Sequence, residues 1–100
     1  MNYIFEIKDK TGRKIRLTEK QWNHITSPSS LHPYMTNYLE EVKQTLEKPN
    51  MIVPNKYDDT KVNYYRFLKD RRQYLLVAVK YLNGEGYVNT SFITPNIRKR

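Results

Sequence analysis

Two histidines and a set of arginines are the groups in this 100-residue chain best suited to chemistry near neutral pH. Imidazole titrates in that range and serves as base or acid, while guanidinium holds a phosphate through a planar fork of N–H donors. Together they can move a proton to or from a reacting group and hold the charge of a phosphate. His32 precedes Pro33, which makes it an extended or turn residue at a helix entrance; a helix-capping or loop histidine is the ordinary alternative. His24 follows Trp22 by two residues and so lies off the face that Trp22 shares with Ile25. It is either a site residue or a surface histidine. Arg66 sits inside a strand-like run and shares a face with Tyr64 and Val62. It is a candidate for binding phosphate at an open sheet surface, set against the common use of strand charges as edge guards.

Groups able to position a substrate cluster late in the chain. Thr90 and Thr94 alternate with Phe92 on one strand face, and with Ser91 they offer hydroxyls to a phosphate or a 2′-OH. Threonine is also simply a good strand residue. Tyr64, Tyr65, Phe67 and Tyr74 interleave with Arg66, Lys69, Arg71 and Arg72, a mixture that stacks bases while neutralising phosphates. Alternation sends half of those rings to the core, leaving one or two, Tyr65 among them, for RNA. Lys69, Arg71 and Arg72 fall in a turn and supply general electrostatics. No cofactor or metal is expected. Asp58-Asp59 is the only adjacent acidic pair outside the helices and lacks a third ligand at suitable spacing. The chain has no P-loop, nucleophile elbow or HExxH.

The charge is unevenly placed. The net charge of +8 comes from 18 Lys and Arg against 10 Asp and Glu. Residues 1–60 carry nine basic and eight acidic side chains, whereas residues 61–100 carry nine basic (Lys61, Arg66, Lys69, Arg71, Arg72, Lys80, Arg98, Lys99, Arg100) and two acidic (Asp70, Glu85). A field concentrated at one end gathers polyanions, so nucleic acid, RNA (tRNA or mRNA) foremost, is the expected partner, with solubility alone, a membrane surface or a protein partner as the other readings of the charge. The expectation is that folding collects these late cations beside an imidazole. With no cysteine, disulfides and thiolate chemistry are excluded, and the composition fits a reducing cytoplasm. Neither a signal peptide nor a membrane span is evident: the longest apolar stretch, Tyr74 to Val79, is strand-sized.

These groups must be placed by one domain, residues 1–100. Tyr3, Phe5 and Ile7 alternate with polar neighbours, Lys10-Thr11-Gly12 turns, and Arg13 to Leu17 alternates again, which predicts a β-hairpin. Thr18 and Gln21 form a capping-box pattern, with Leu17 and Trp22 as its hydrophobic staple, for a helix from Thr18 to about Thr26. Met35, Tyr38, Leu39, Val42 and Leu46 predict a second helix closed by Pro49. Four strands follow: Met51–Val53, Val62–Leu68, Tyr74–Tyr81 with a central stretch apolar on both faces, and Tyr87–Thr94. The predicted class is α+β: an N-terminal hairpin and two helices packed on a four-stranded antiparallel sheet. The opposite sheet face is left for function, and residues 96–100 fray as a basic tail.

A family resemblance rests on Leu17-Thr18, Trp22-Asn23-His24-Ile25, His32-Pro33, and Val42 with Thr45-Leu46 and Pro49. Tyr64-Tyr65-Arg66, Tyr74-Leu75-Leu76-Val77 and Thr90-Ser91-Phe92-Ile93-Thr94 extend it over most of residues 15–95. In these residues and in its order of elements the chain resembles phage-associated domains of the BECR superfamily, which joins barnase, EndoU, tRNA-cleaving colicins and RelE-type toxins. Phe92 stands where related domains often have Tyr, and Tyr34 where they often have Glu. The resemblance implies metal-independent RNA cleavage of toxin type, with catalytic groups from the helical segment and the sheet. Two other readings stay open: a non-catalytic nucleic-acid-binding module on the same scaffold, and a protein-interaction domain neutralised by an acidic immunity or antitoxin protein.

Overall fold

The computed structural model describes residues 3–97. The alternating N-terminal segment folds as predicted into strands β1 (Tyr3–Lys8) and β2 (Lys14–Thr18), paired antiparallel. Asp9 holds the connecting turn. One of its carboxylate oxygens accepts from the amides of Thr11 and Arg13, both at 2.9 Å, and Gly12 takes the positive φ of +86° that the turn requires.

Helix α1 (Glu19–Thr26) begins where the cap predicts: the Gln21 amide donates to Thr18 Oγ1 at 3.1 Å. Only that half of the capping box forms. The Gln21 side chain turns away and donates to the carbonyl of Asn89 at 2.5 Å, linking the helix to the last strand. Trp22 and Ile25 are its buried face.

The second helical segment divides in two. Pro33–Asn37 is a short 3-10 helix that begins at His32, whose φ of −135° and ψ of 53° are neither helical nor fully extended, a turn conformation before the proline. Helix α2 (Leu39–Glu47) starts only after Tyr38 leaves helical geometry at φ −121°. Thr36 and Asn37, which compete for backbone hydrogen bonds, stand just before this break.

Strands β3 (Met51–Pro54), β4 (Lys61–Leu68), β5 (Gln73–Leu82) and β6 (Glu85–Thr94) form the expected antiparallel meander. The sheet, however, has six strands rather than four, in the order β1-β2-β6-β5-β4-β3, and it is mixed. The hairpin extends it through a parallel pairing of β2 with β6, Ile15 with Gly86 and Arg16 with Tyr87. A parallel partner needs a long crossover, and the whole segment from α1 to β5 supplies it. Such a pairing leaves no local trace in sequence.

The helices cover one face of the sheet. Ile15, Leu17, Tyr64, Leu75, Val77 and Val79 meet Trp22, Ile25, Met35, Val42 and Leu46 there. Asp9 is drawn into this core at 6% exposure, and its second oxygen accepts from the hydroxyls of Tyr64 and Tyr81. On the other face a smaller cluster gathers Val53, Tyr65 and Leu76 with Met51, Tyr74, Ala78 and Phe92. Ile97 packs against that cluster rather than fraying, while Arg98, Lys99 and Arg100 of the predicted tail lie outside the described residues.

Candidate active site

The site grows from the outer edge of β6. The β2–β6 pairing spans only two residues, and a bulge follows: Val79 pairs with Val88 and Ala78 with Thr90, leaving Asn89 as the extra residue. Beyond the bulge, α1 and the segment 27–34 take over the edge. Gln21 binds the Asn89 carbonyl, and Tyr34 Oη accepts from the Ile93 amide at 3.1 Å. A cleft of about 330 Å³ opens between these pieces, and His24, Ser30, His32, Thr90 and Phe92 line it.

His32 is held on three sides. Its ring stacks on Phe92 with centroids 4.8 Å apart and an interplanar angle of 17°. Its amide donates to Ser30 Oγ at 3.2 Å, and that hydroxyl donates to the Ile25 carbonyl at 2.9 Å. Its Nδ1 lies 3.2 Å from Tyr34 Oη. Because Tyr34 Oη accepts the Ile93 amide, its own proton is free for Nδ1. A hydroxyl that accepts one amide also keeps a second lone pair and can equally accept from Nδ1–H, so either tautomer of the neutral ring fits the contact. His24 is exposed on α1 and faces the same cleft. Two imidazoles and the Thr90 hydroxyl thus meet, with one imidazole oriented by a tyrosine.

The remaining predicted residues divide. Tyr65 and Thr94 line a second cavity on the open face, beside the first and sharing Phe92 with it. Ser91 is fully buried, and its hydroxyl donates to the Leu76 carbonyl at 2.7 Å, so it serves the sheet. Arg66 shares a face with Val62 and Tyr64, but that is the helix-covered face. Its guanidinium donates to the carbonyl of Lys48 at the end of α2, at 2.6 Å. Arg71 donates to Tyr38 Oη at 2.6 Å; Tyr38 meets Tyr34 edge-on at 6.5 Å, and Tyr34 meets His32 edge-on at 5.8 Å. A file of rings thus joins the β4–β5 turn to the cleft. Lys69 and Arg72 are exposed in that turn, Arg72 at φ +54°.

The late cations are therefore not collected beside an imidazole. Among the described residues no Lys or Arg lines the His32 cleft. Strand alternation puts Arg66 and the open-face residues on opposite sides. Lys61 and Lys80 pair across β4 and β5 on the open face. Close by, Asp58 has its carboxyl held below the usual range, first by hydrogen bonds from Thr60 and then by these two lysines. Arg16 is engaged by Glu6 at 2.6 Å and Glu85 at 2.7 Å. Among the described residues no group of three His, Asp or Glu stands ready for a metal, and no helix is long and apolar enough to cross a membrane. Sequence reasoning gave Ser30 no role in the site and noted Tyr34 only as standing where related domains often have Glu; its spacing two residues beyond His32 was the further signal.

A family model described as phage-Barnase-EndoU-ColicinE5/D-RelE like nuclease 2 matches residues 5–100. No curated protein and no solved structure matches the chain.

Proposed function

The chain belongs to the phage Barnase–EndoU–ColicinE5/D–RelE-like nuclease family, and on that premise we propose that it is a metal-independent RNA endonuclease of toxin type acting at the His32 cleft. The observation that carries the proposal is the meeting of His24, His32 and Thr90 at the free edge of β6. In this reading His24 takes the proton from a ribose 2′-OH, and the freed oxygen attacks the adjacent phosphorus. The bond from phosphorus to the 5′ oxygen breaks, and the protonated His32 delivers its Nε2 proton to that oxygen and becomes neutral, leaving a 2′,3′-cyclic phosphate and a 5′-OH. Tyr34 serves both protonation states of His32: its hydroxyl accepts from Nδ1–H of the charged ring and from the same Nδ1–H of the neutral ring that remains once Nε2 has given up its proton. Thr90 hydrogen-bonds the phosphate or the attacking hydroxyl. The protonated imidazole supplies the positive charge that no lysine or arginine provides at the cleft.

A second reading, a non-catalytic RNA-binding module, is favoured by that same lack of a cation. An acidic immunity-type partner would complement the +8 chain in either case. The deciding experiment incubates purified protein with single-stranded RNA in EDTA and identifies the fragment ends. Cyclic phosphate ends are expected, with His32→Ala slowing their appearance by roughly 10²–10⁴-fold. Intact RNA at high protein concentration removes the enzymatic reading and leaves the binding one.

A further inference from the structure

The open face of the sheet is a lattice whose rows follow from the strand register. Asn63, Ala78 and Thr90 form one row across β4, β5 and β6; Tyr65, Leu76 and Phe92 form the next; Phe67, Tyr74 and Thr94 the third. Ala78 is the smallest of the nine, so the first row sags at its centre between two polar side chains. Two inter-strand spacings set Asn63 and Thr90 about 10 Å apart, the width of a planar heterocycle with its contacts. Beside this dip lies the second cavity, about 360 Å³, walled by Asn63, Tyr65, Leu76, Phe92 and Thr94. The polar side-chain groups of its lining residues are the Asn63 amide and the hydroxyls of Thr94 and Tyr65. Thr94 Oγ1 is already directed to the Asn96 carbonyl at 3.3 Å. The half-buried Asn63 side chain makes no hydrogen bond to the described residues.

The geometry points to a nucleobase subsite in this cavity, with Asn63 reading the edge of a base from single-stranded RNA while its ribose-phosphate lies in the His32 cleft. This inference rests on the nuclease reading and names what that site selects. A carboxamide presents one acceptor and two donors side by side, the complement of a base's Watson–Crick or Hoogsteen edge. Phe92, half-buried, offers the ring face not covered by His32 for an unpaired base to stack on, while Tyr65, 1% exposed, forms the floor beneath it. Phe92 belongs to both cavities, so a nucleotide in one places its neighbouring group in the other. The row beyond Asn63 holds Lys61 and Lys80, positioned for the next phosphate, with Asp58 offsetting part of their charge. An acidic side chain from a partner protein would seek those lysines but would leave the apolar cavity unfilled.

The test uses the full chain and all-deoxy homo-oligomers of A, C, G and T, which lack the 2′-OH and cannot be cut by this route. An abasic oligomer of equal length is the reference, and fluorescence anisotropy reports binding. The best base is expected to bind roughly 10-fold tighter than the abasic chain. Asn63→Ala should flatten the ranking of the four bases while leaving abasic affinity unchanged, and Asn63→Thr, a better strand former, should do the same with the fold preserved by circular dichroism. Lys80→Ala should weaken every oligomer alike. An unaltered base ranking in both Asn63 variants, or equal affinity for abasic and base-bearing chains, overturns the subsite. If RNA is cut by the wild-type chain in that case, the nuclease reading survives; a base preference that depends on Asn63, with RNA left intact, sinks that reading and keeps the subsite.

Discussion

Tyr34 accepts the Ile93 amide at 3.1 Å and lies 3.2 Å from His32 Nδ1, so one hydroxyl couples the imidazole to strand β6. Tyr34→Phe keeps the ring contacts and deletes that coupling. Nitrogen-15 shifts of the neutral His32 ring are expected to report one dominant tautomer in the wild type and a mixture in the variant. Cleavage should fall by about 5- to 10-fold, the worth of one hydrogen bond, well short of the His32→Ala loss. An unchanged tautomer would show that Tyr34 does not orient the ring. At this scale the sequence singled out His24, His32 and Thr90 as separate candidates, but it could not separate Arg66 from them. Arg66 reads as a strand cation beside aromatics, and only the assignment of faces sends it to the Lys48 carbonyl at the end of α2.

At the scale of elements, the junction of β2 with β6 holds the cleft together, because α1 leaves β2 directly and carries His24 with it. Gly86 permits that junction. A β-carbon there would stand 2.8 Å from Tyr81 Cε1, 2.9 Å from Val79 Cγ1 and 3.1 Å from Ile15 Cγ1. Gly86→Ala is therefore expected to cost about 1–3 kcal/mol by urea denaturation and to slow cleavage further by displacing α1; full stability would mean that the strands part without strain. Thr18→Ala removes the α1 cap and should cost about 1 kcal/mol. The periods that define β1, β2, α1 and the meander are local and were readable. The parallel pairing and the bulge at Asn89 depend on partners distant in sequence, and no periodicity reports them; the break at Tyr38 is local, but the helical spacing of Met35, Tyr38 and Leu39 runs straight through it.

Across the whole molecule, Asp9 ties the first turn to β4 and β5 through Tyr64 and Tyr81, with the Arg13 guanidinium 3.7 Å above the Tyr81 ring. Burial works to raise the Asp9 carboxyl, but donors from Tyr64, Thr11, the Arg13 amide and Tyr81 outweigh it and hold it below its usual value. Burial, followed by the contact with Asp9, pushes Tyr64 far up, and burial likewise carries Tyr81 to about 12, so neither phenol ionises near neutrality. A depressed carboxyl stabilises fully above its unfolded value near 4, and that stability is lost as pH falls through the lower folded value. Asp9→Asn should cost about 2–3 kcal/mol at pH 7 and flatten the fall in stability below about pH 4. Parallel acid limbs in the two proteins would show that Asp9 is not the group responsible. The net charge of +8 makes a second global prediction: the logarithm of RNA affinity should fall linearly with log salt, with a slope near −0.7 per phosphate neutralised.

The amino-acid order alone determined the α+β class, the positions of six strands and the start of α1, the basic character of the last forty residues, and the two imidazoles. These are properties of composition and of short periods, which each segment carries without its neighbours. Tertiary structure decided which of those groups share a space. The parallel closure of the hairpin onto β6 swung α1 over a free strand edge, joined His24 to His32 and Thr90, and left Arg66 on the far side of the sheet. Strand alternation and long-range pairing act between segments, so their outcome exists only when the chain is folded.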